Sequence, residues 1–118
     1  MKRAIIVCTA LLASFWVSAQ TSEPVALSND ELVTMIKGKT IATENTRWGP
    51  VSLQFKDDGT LYGANNGGRD SGKWRTDSGK LCLEWRRWDY EGCGTVQKVG
   101  NEMQHLWPTG SVHFVYRP

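Results

Sequence analysis

Val51-Ser52-Leu53-Gln54-Phe55-Lys56-Asp57-Asp58-Gly59-Thr60 alternates apolar with polar side chains over its first six residues, then breaks on two aspartates and a glycine. A period of two puts Val51, Leu53 and Phe55 on one face of a strand. Asp57-Asp58-Gly59 is turn chemistry, so the chain reverses there into a second strand from Thr60 to Ala64.

The same grammar repeats toward the C-terminus. After the Gly- and Asn-rich stretch Asn65 to Ser71, Lys73-Trp74-Arg75 reads as a strand, Asp77-Ser78-Gly79 as a turn, and Leu81, Leu83 and Trp85 as the alternating face of the next strand. Gly92 to Val99 turns at Gly100-Asn101 into Glu102 to Trp107, and Pro108-Thr109-Gly110 leads to a last face of Val112, Phe114 and Tyr116. Upstream, Thr40 to Thr43 is a short strand before the Arg47-Trp48-Gly49-Pro50 bend. About eight strands joined by tight turns leave no room for crossovers, so neighbours pair antiparallel as a meander. Closure removes the exposed edges, and eight strands enclose space for side chains or one small ligand. The expected fold is mainly β: a small antiparallel meander, closed or nearly closed as a lipocalin-like barrel. The competing architecture is a strongly bent open sheet.

One helix precedes the strands. Ser28-Asn29-Asp30-Glu31 spells a capping box, Leu32, Val33, Met35 and Ile36 make an apolar stripe, and Lys37-Gly38 supplies a basic last turn and a left-handed stop. A helix this short does not persist alone in water, so it is expected to plug or flank one end of the barrel. Residues 28–118 then form a single domain behind a polar leader, residues 20–27.

Residues 1–19 read as a secretory signal peptide. Met1-Lys2-Arg3 is basic, Ala4 to Val17 is apolar, and Val17-Ser18-Ala19 offers small residues for cleavage before Gln20. The run is too short for a stable anchor across ~30 Å of hydrocarbon. Cys8 lies mid-run, without the setting that lipoprotein processing needs. The 118-residue chain carries 14 Lys+Arg against 12 Asp+Glu, but removing residues 1–19 takes Lys2, Arg3 and Cys8 with it and leaves the two signs balanced. A neutral domain lacks the broad positive field that nucleic-acid binding uses, so nucleic acid is not an expected partner. The expected location is periplasmic or extracellular.

Export leaves Cys82 and Cys93 as the only cysteines, in an oxidising compartment. A hairpin centred between Arg87 and Trp88 sets them opposite each other, so a disulfide is expected. Ten intervening residues are unlike a C-x-x-C redox site. At the tip of that hairpin, Trp85, Arg86, Arg87, Trp88 and Tyr90 form the most unusual segment of the chain. Trp, Tyr and Arg recur as interface anchors, and a disulfide would preorganise them. The same residues also make sense as packing, with the arginines stacked on Trp88 or paired with Asp89 and Glu91. Trp48, Tyr62, Trp74 and Trp107 are candidates to line a cavity if they share the inward face, or simply to fill the core.

Catalytic and metal chemistry is harder to assemble. G-x-S-x-G and H-E-x-x-H are absent, and Asp57-Asp58-Gly59 lacks the spacing of a calcium loop. His105 and His113 would face each other across the last hairpin. Two imidazoles fall short of a zinc site unless Glu84 or Glu102 joins them, and the plainer reading makes both histidines surface residues beside Leu106, Val112 and Phe114. Glu84 and Glu91, opposed in the same hairpin register, are the nearest approach to a carboxylate pair. No cofactor and no enzymatic activity are expected.

Leu32 with Gly38-Lys39-Thr40, Phe55-x-x-Asp58-Gly59-Thr60, Gly72-x-Trp74, Leu81-Cys82-x-x-Trp85 and Cys93-x-x-Val96 resembles small exported proteins of rhizobia-type proteobacteria, a family without an assigned function. More loosely, the pattern resembles bacterial lipocalin-like domains. The resemblance runs from Leu32 to Phe114 and rests on turn and packing positions, so it implies a fold and supplies no site residue. The function expected is binding of an envelope partner or small ligand without catalysis. Inhibition of a lysozyme or protease through the 85–91 hairpin, and carriage of a small apolar or glycan ligand, are the alternatives.

Overall fold

A computed structural model describes residues 23–117. The signal-peptide reading of residues 1–19, its cleavage after Ala19 and Cys8 all lie outside the described residues. In chain order the elements are β1 (Val25–Ala26), α1 (Asn29–Ile36), β2 (Lys39–Asn45), β3 (Gly49–Phe55), β4 (Thr60–Asn65), β5 (Gly68–Asp77), β6 (Lys80–Trp85), β7 (Glu91–Val99), β8 (Glu102–Leu106) and β9 (Val112–Tyr116).

From β2 to β9 each strand pairs antiparallel with the next, and β9 returns to β2 through Thr43↔Tyr116 and Asn45↔Phe114. The result is a closed eight-stranded barrel, the lipocalin-like meander expected from the turn spacing, and not the bent open sheet. Alternation decides what faces inward: Ile41 and Thr43, Val51, Leu53 and Phe55, Leu61, Trp74 and Val96 are all buried between exposed or half-buried neighbours, and Leu81 and Leu83 are buried on either side of the disulfide-bonded Cys82.

The helix closes one end. Ser28 Oγ accepts from the Glu31 amide while the Glu31 carboxylate accepts from the Ser28 amide, completing the capping box. These bonds hold the Glu31 carboxyl below the usual range. Lys37 leaves the helix in an extended conformation and Gly38 turns left-handed at φ 75°, donating to the Phe55 carbonyl. Leu32 and Ile36 are fully buried in the barrel core, and Asn29 Oδ1 accepts from the Gly79 amide in the β5–β6 turn. Two inserted aliphatic side chains stabilise this end by about 3–6 kcal/mol on the usual burial scale.

Three details differ from the sequence reading. Val25 and Ala26, read as leader, pair with Lys98 and Gln97 on the β7 edge that β6 uses further up the strand. Backbone pairing alone holds them, so no apolar alternation announces it. Arg69 to Ser71, read as part of a connection, belongs to β5, and the β4–β5 turn is only Asn66-Gly67. Asp70 sits at an inward position there, which hides the strand pattern. Third, the β8–β9 register pairs His105 with Phe114 but Leu106 with Val112, leaving His113 as a bulge residue. The bulge turns both His113 and Phe114 into the core, where strict alternation allowed only one of them.

Candidate functional site

The end opposite the helix is formed by the β2–β3, β4–β5, β6–β7 and β8–β9 connections, and the chain's unusual residues gather there. Gly63 creates the room. A Cβ on this inward-facing residue of β4 would stand 2.6 Å from Trp85 Cη2 and 2.6 Å from Trp88 Cζ3, so the two indoles occupy the space a side chain would need. Trp85 and Trp88 pack at 4.7 Å between centroids, and Trp88 continues to Trp48 at 6.3 Å. The three indoles form a lid across the mouth, with Trp48 37% exposed.

Asp70 holds the lid down. Its side chain is 1% exposed, and Oδ2 accepts from the backbone amides of both Arg87 and Trp88, each at 2.8 Å. Burial alone would raise this carboxyl. The amides of Trp88, Arg87 and Ser71 and the Arg87 guanidinium outweigh burial and keep it below the ordinary value. Arg87 Nε approaches Asp70 Oδ1 at 3.7 Å, and Arg86 donates its amide to the Ser71 carbonyl. The 85–91 hairpin is therefore bent over the barrel and does not project as a free loop.

Beneath the lid is a cavity of about 20 Å³ bounded by Thr43, Asn45, Val51, Leu53, Leu83 and Phe114, with the three indoles and His113 above and beside them. This is room for about one water or one methyl group. Thr43 Oγ1 donates to the Val51 carbonyl, and Asn45 Oδ1 accepts from the amides of Arg47 and Trp48, which shapes the β2–β3 turn. The Arg47 guanidinium lies 5.8 Å from the Trp48 ring centroid. Among the described residues Arg47 makes no ion pair.

Of the proposed contact residues, Trp85 and Trp88 border this mouth and Arg87 lies beside Asp70, whereas Arg86 lines the outer surface with Tyr62, Lys73 and Glu84. Tyr90 does not share their exposure. It is 5% exposed, stacked on His113 at 4.3 Å and packed on Trp107 at 4.6 Å. Its hydroxyl is the one buried polar side-chain atom without a partner among the described residues, and burial pushes the phenol up to about 12. Nor do Trp48, Tyr62, Trp74 and Trp107 line a common cavity. Trp48 borders the mouth, Tyr62 is exposed on the outer face, Trp107 packs on Tyr90, and Trp74 lies near the helix end with its indole N–H on the Lys56 carbonyl.

His105 and His113 do meet, but Phe114 and not His113 stands opposite His105, and both imidazoles lie inside the core and not on the surface, at 1% and 3% exposure. Their Nδ1 atoms are 3.0 Å apart and His105 Nε2 is 3.0 Å from the Leu81 carbonyl. A carbonyl only accepts, so His105 carries its proton on Nε2. His113 must then donate from Nδ1 to the bare Nδ1 of His105, which leaves His113 Nε2 unprotonated. Desolvation, offset in part by the Leu81 bond, lowers His105 to about 4; desolvation and the neighbouring His105 lower His113 to about 3. Glu102 pairs with Arg117 at 2.9 Å, and among the described residues no three His, Cys, Asp or Glu side chains converge.

Cys82 and Cys93 are bonded, directly opposed in the β6–β7 register. Leu81 and Leu83 face inward, so the disulfide lies on the outer face, beside Arg75. A broad depression of about 570 Å³ crosses that face. Lys73, Glu84 and Glu91 follow one another across its strands, so one positive and two negative charges are spread over an open surface.

Fold and site together define a small closed antiparallel barrel, lipocalin-like in topology, with a filled interior and a tryptophan-lidded mouth. No family model, curated protein or solved structure matches the chain. Among the described residues no helix is long and apolar enough to cross a membrane.

Proposed function

We infer that the protein is an exported, non-catalytic barrel that binds a partner or small ligand of the cell envelope at its mouth. The observation that carries this reading is the row of Trp48, Trp88 and Trp85 over a small unfilled space. Large aromatic surface has been placed at the rim, with Arg47 beside it, where filling the core alone would put it inside. A cavity of about 20 Å³ is far below the roughly 300–1,000 Å³ of a pocket that swallows a drug-sized ligand, which weighs against carriage in the lumen. The tie from Asp70 to the hairpin tip weighs against an inhibitory loop inserted into an enzyme cleft.

The test is a fluorescence titration of the protein, expressed with its own leader, against separated protein and saccharide fractions of the envelope. A saturable change that is lost in Trp48→Ala supports binding at the mouth. Flat titrations with every fraction would reject it.

A further inference from the structure

The mouth's unspent groups describe what it takes. Thr43 Oγ1, Asn45 Oδ1 and His113 Nδ1 already hold bonds within the protein. Among the described residues Asn45 Nδ2 and the indole nitrogens of Trp85 and Trp88 have no partner, yet they are not sealed off, since Tyr90 Oη is the one buried atom left unsatisfied. The available donors are these and the Arg47 guanidinium, and the available acceptors are Thr43 Oγ1, which only donates within the protein, and the bare Nε2 of His113. Thr43, Asn45, His113 and the three indoles border a methyl-sized space whose remaining walls are Val51, Leu53, Leu83 and Phe114. Four of its walls are apolar side chains, so the space takes a methyl group as well as it takes a water.

We propose that this mouth binds an acidic N-acetylated sugar, an inference that rests on the mouth being the contact surface. An acetamido group matches what is left over. Its methyl fills the apolar space, its carbonyl oxygen accepts from a donor such as Asn45 Nδ2, and its N–H donates to an unspent acceptor such as Thr43 Oγ1. The exposed part of the Trp48 ring offers apolar surface to the C–H face of a pyranose ring, with the Arg47 guanidinium over the same ring. A carboxylate on the sugar meets Arg47, which no carboxylate occupies among the described residues, and arginine holds carboxylates in two-pronged fashion.

Four monosaccharides separate these contributions: N-acetylmuramic acid, N-acetylneuraminic acid, N-acetylglucosamine, which lacks the carboxylate, and glucuronic acid, which lacks the acetamide. Titrated against the full protein by tryptophan fluorescence, one of the two N-acetylated acids should saturate the signal. The tighter of them identifies a cell-wall or a sialylated source. N-acetylglucosamine and glucuronic acid should each bind about tenfold more weakly, the loss expected for one good polar contact or one buried methyl group. Val51→Ile extends a side chain into the cavity and should erase the preference over glucuronic acid while the thermal midpoint holds. Glucuronic acid binding as tightly as the N-acetylated acids, or a preference that survives Val51→Ile, overturns the proposal. Silence from all four sugars alongside a Trp48-dependent response to an envelope fraction overturns it too, but leaves the mouth reading standing. Sugar binding undiminished in Trp48→Ala overturns both.

Discussion

Asp70 is a single side chain on which the position of a whole hairpin depends. A buried carboxylate is costly unless its lone pairs are used, and here two amides of the lid and a guanidinium use them. Asp70→Asn keeps the shape but weakens both amide bonds by removing the charge. It should cost about 1–3 kcal/mol in urea unfolding and raise acrylamide quenching of the lid tryptophans; unchanged quenching would show that something else holds the tip. The histidine pair behaves differently with pH. Both imidazoles are neutral in the folded barrel, with folded values of about 4 and about 3 against an ordinary 6.5, and their ring neighbours Tyr90, Trp107 and Phe114 offer no carboxylate. The unfolded chain therefore binds more protons below pH 6.5. Stability contributed by this pair is complete above that value and is lost as pH falls toward the folded values. Urea midpoints should drop between pH 6.5 and 4, and the drop should be shallower in His113→Phe. The sequence brought the two histidines together across the last hairpin but placed them at the surface, because a bulge moves His113 inward, and Asp70 stands in a stretch that reads as a loop.

At the level of elements, the β6–β7 hairpin shows what sequence conveys well. Counting from a centre between Arg87 and Trp88 gives Cys82↔Cys93 and Glu84↔Glu91, and both pairs are found. Register in a hairpin is local arithmetic, so it survives without knowledge of the rest of the molecule. The direction in which the tip bends is not local. It depends on Gly63, two strands away, whose missing side chain admits Trp85 and Trp88. Gly63→Ala should expel one indole, lowering stability by roughly 1–3 kcal/mol and shifting tryptophan emission to the red. Ser in place of both cysteines removes a cross-link spanning 11 residues and should cost roughly 3 kcal/mol in the chain-entropy account. Because Asp70 ties the tip independently, the double Cys variant should keep the emission maximum of the native lid. A shift as large as that of Gly63→Ala would mean the disulfide, and not Asp70, sets the tip.

Over the whole molecule, two ends of one barrel are closed by different means, and this difference separates stability from function. Leu32 and Ile36 seal the helix end with fully buried aliphatic side chains and a capped helix, whereas the opposite end is covered by indoles that stay half-exposed over a small gap. That polarity was only partly readable. The capping box announced the plug, but the meander gave no indication of which tryptophans would meet, since partners on the rim come from strands distant in sequence. Closure itself rests on close backbone approach where β7 crosses β8. Gly94 is buried there, and a Cβ on it would run into the Leu106 carbonyl and come within 3.2 Å of His105 Nε2. Backbone cannot yield as a flexible side chain does, so even one methyl group must part the strands that complete the ring. Gly94→Ala should therefore affect both ends at once, lowering the thermal midpoint and exposing lid and core tryptophans together. Gly63→Ala, confined to the mouth, should leave quenching of Trp74 near the helix end unchanged. Single-tryptophan versions retaining only Trp74 or only Trp88 make the comparison direct. A Gly94→Ala barrel that loosens only Trp88 would mean that the helix end holds its structure without the closed ring.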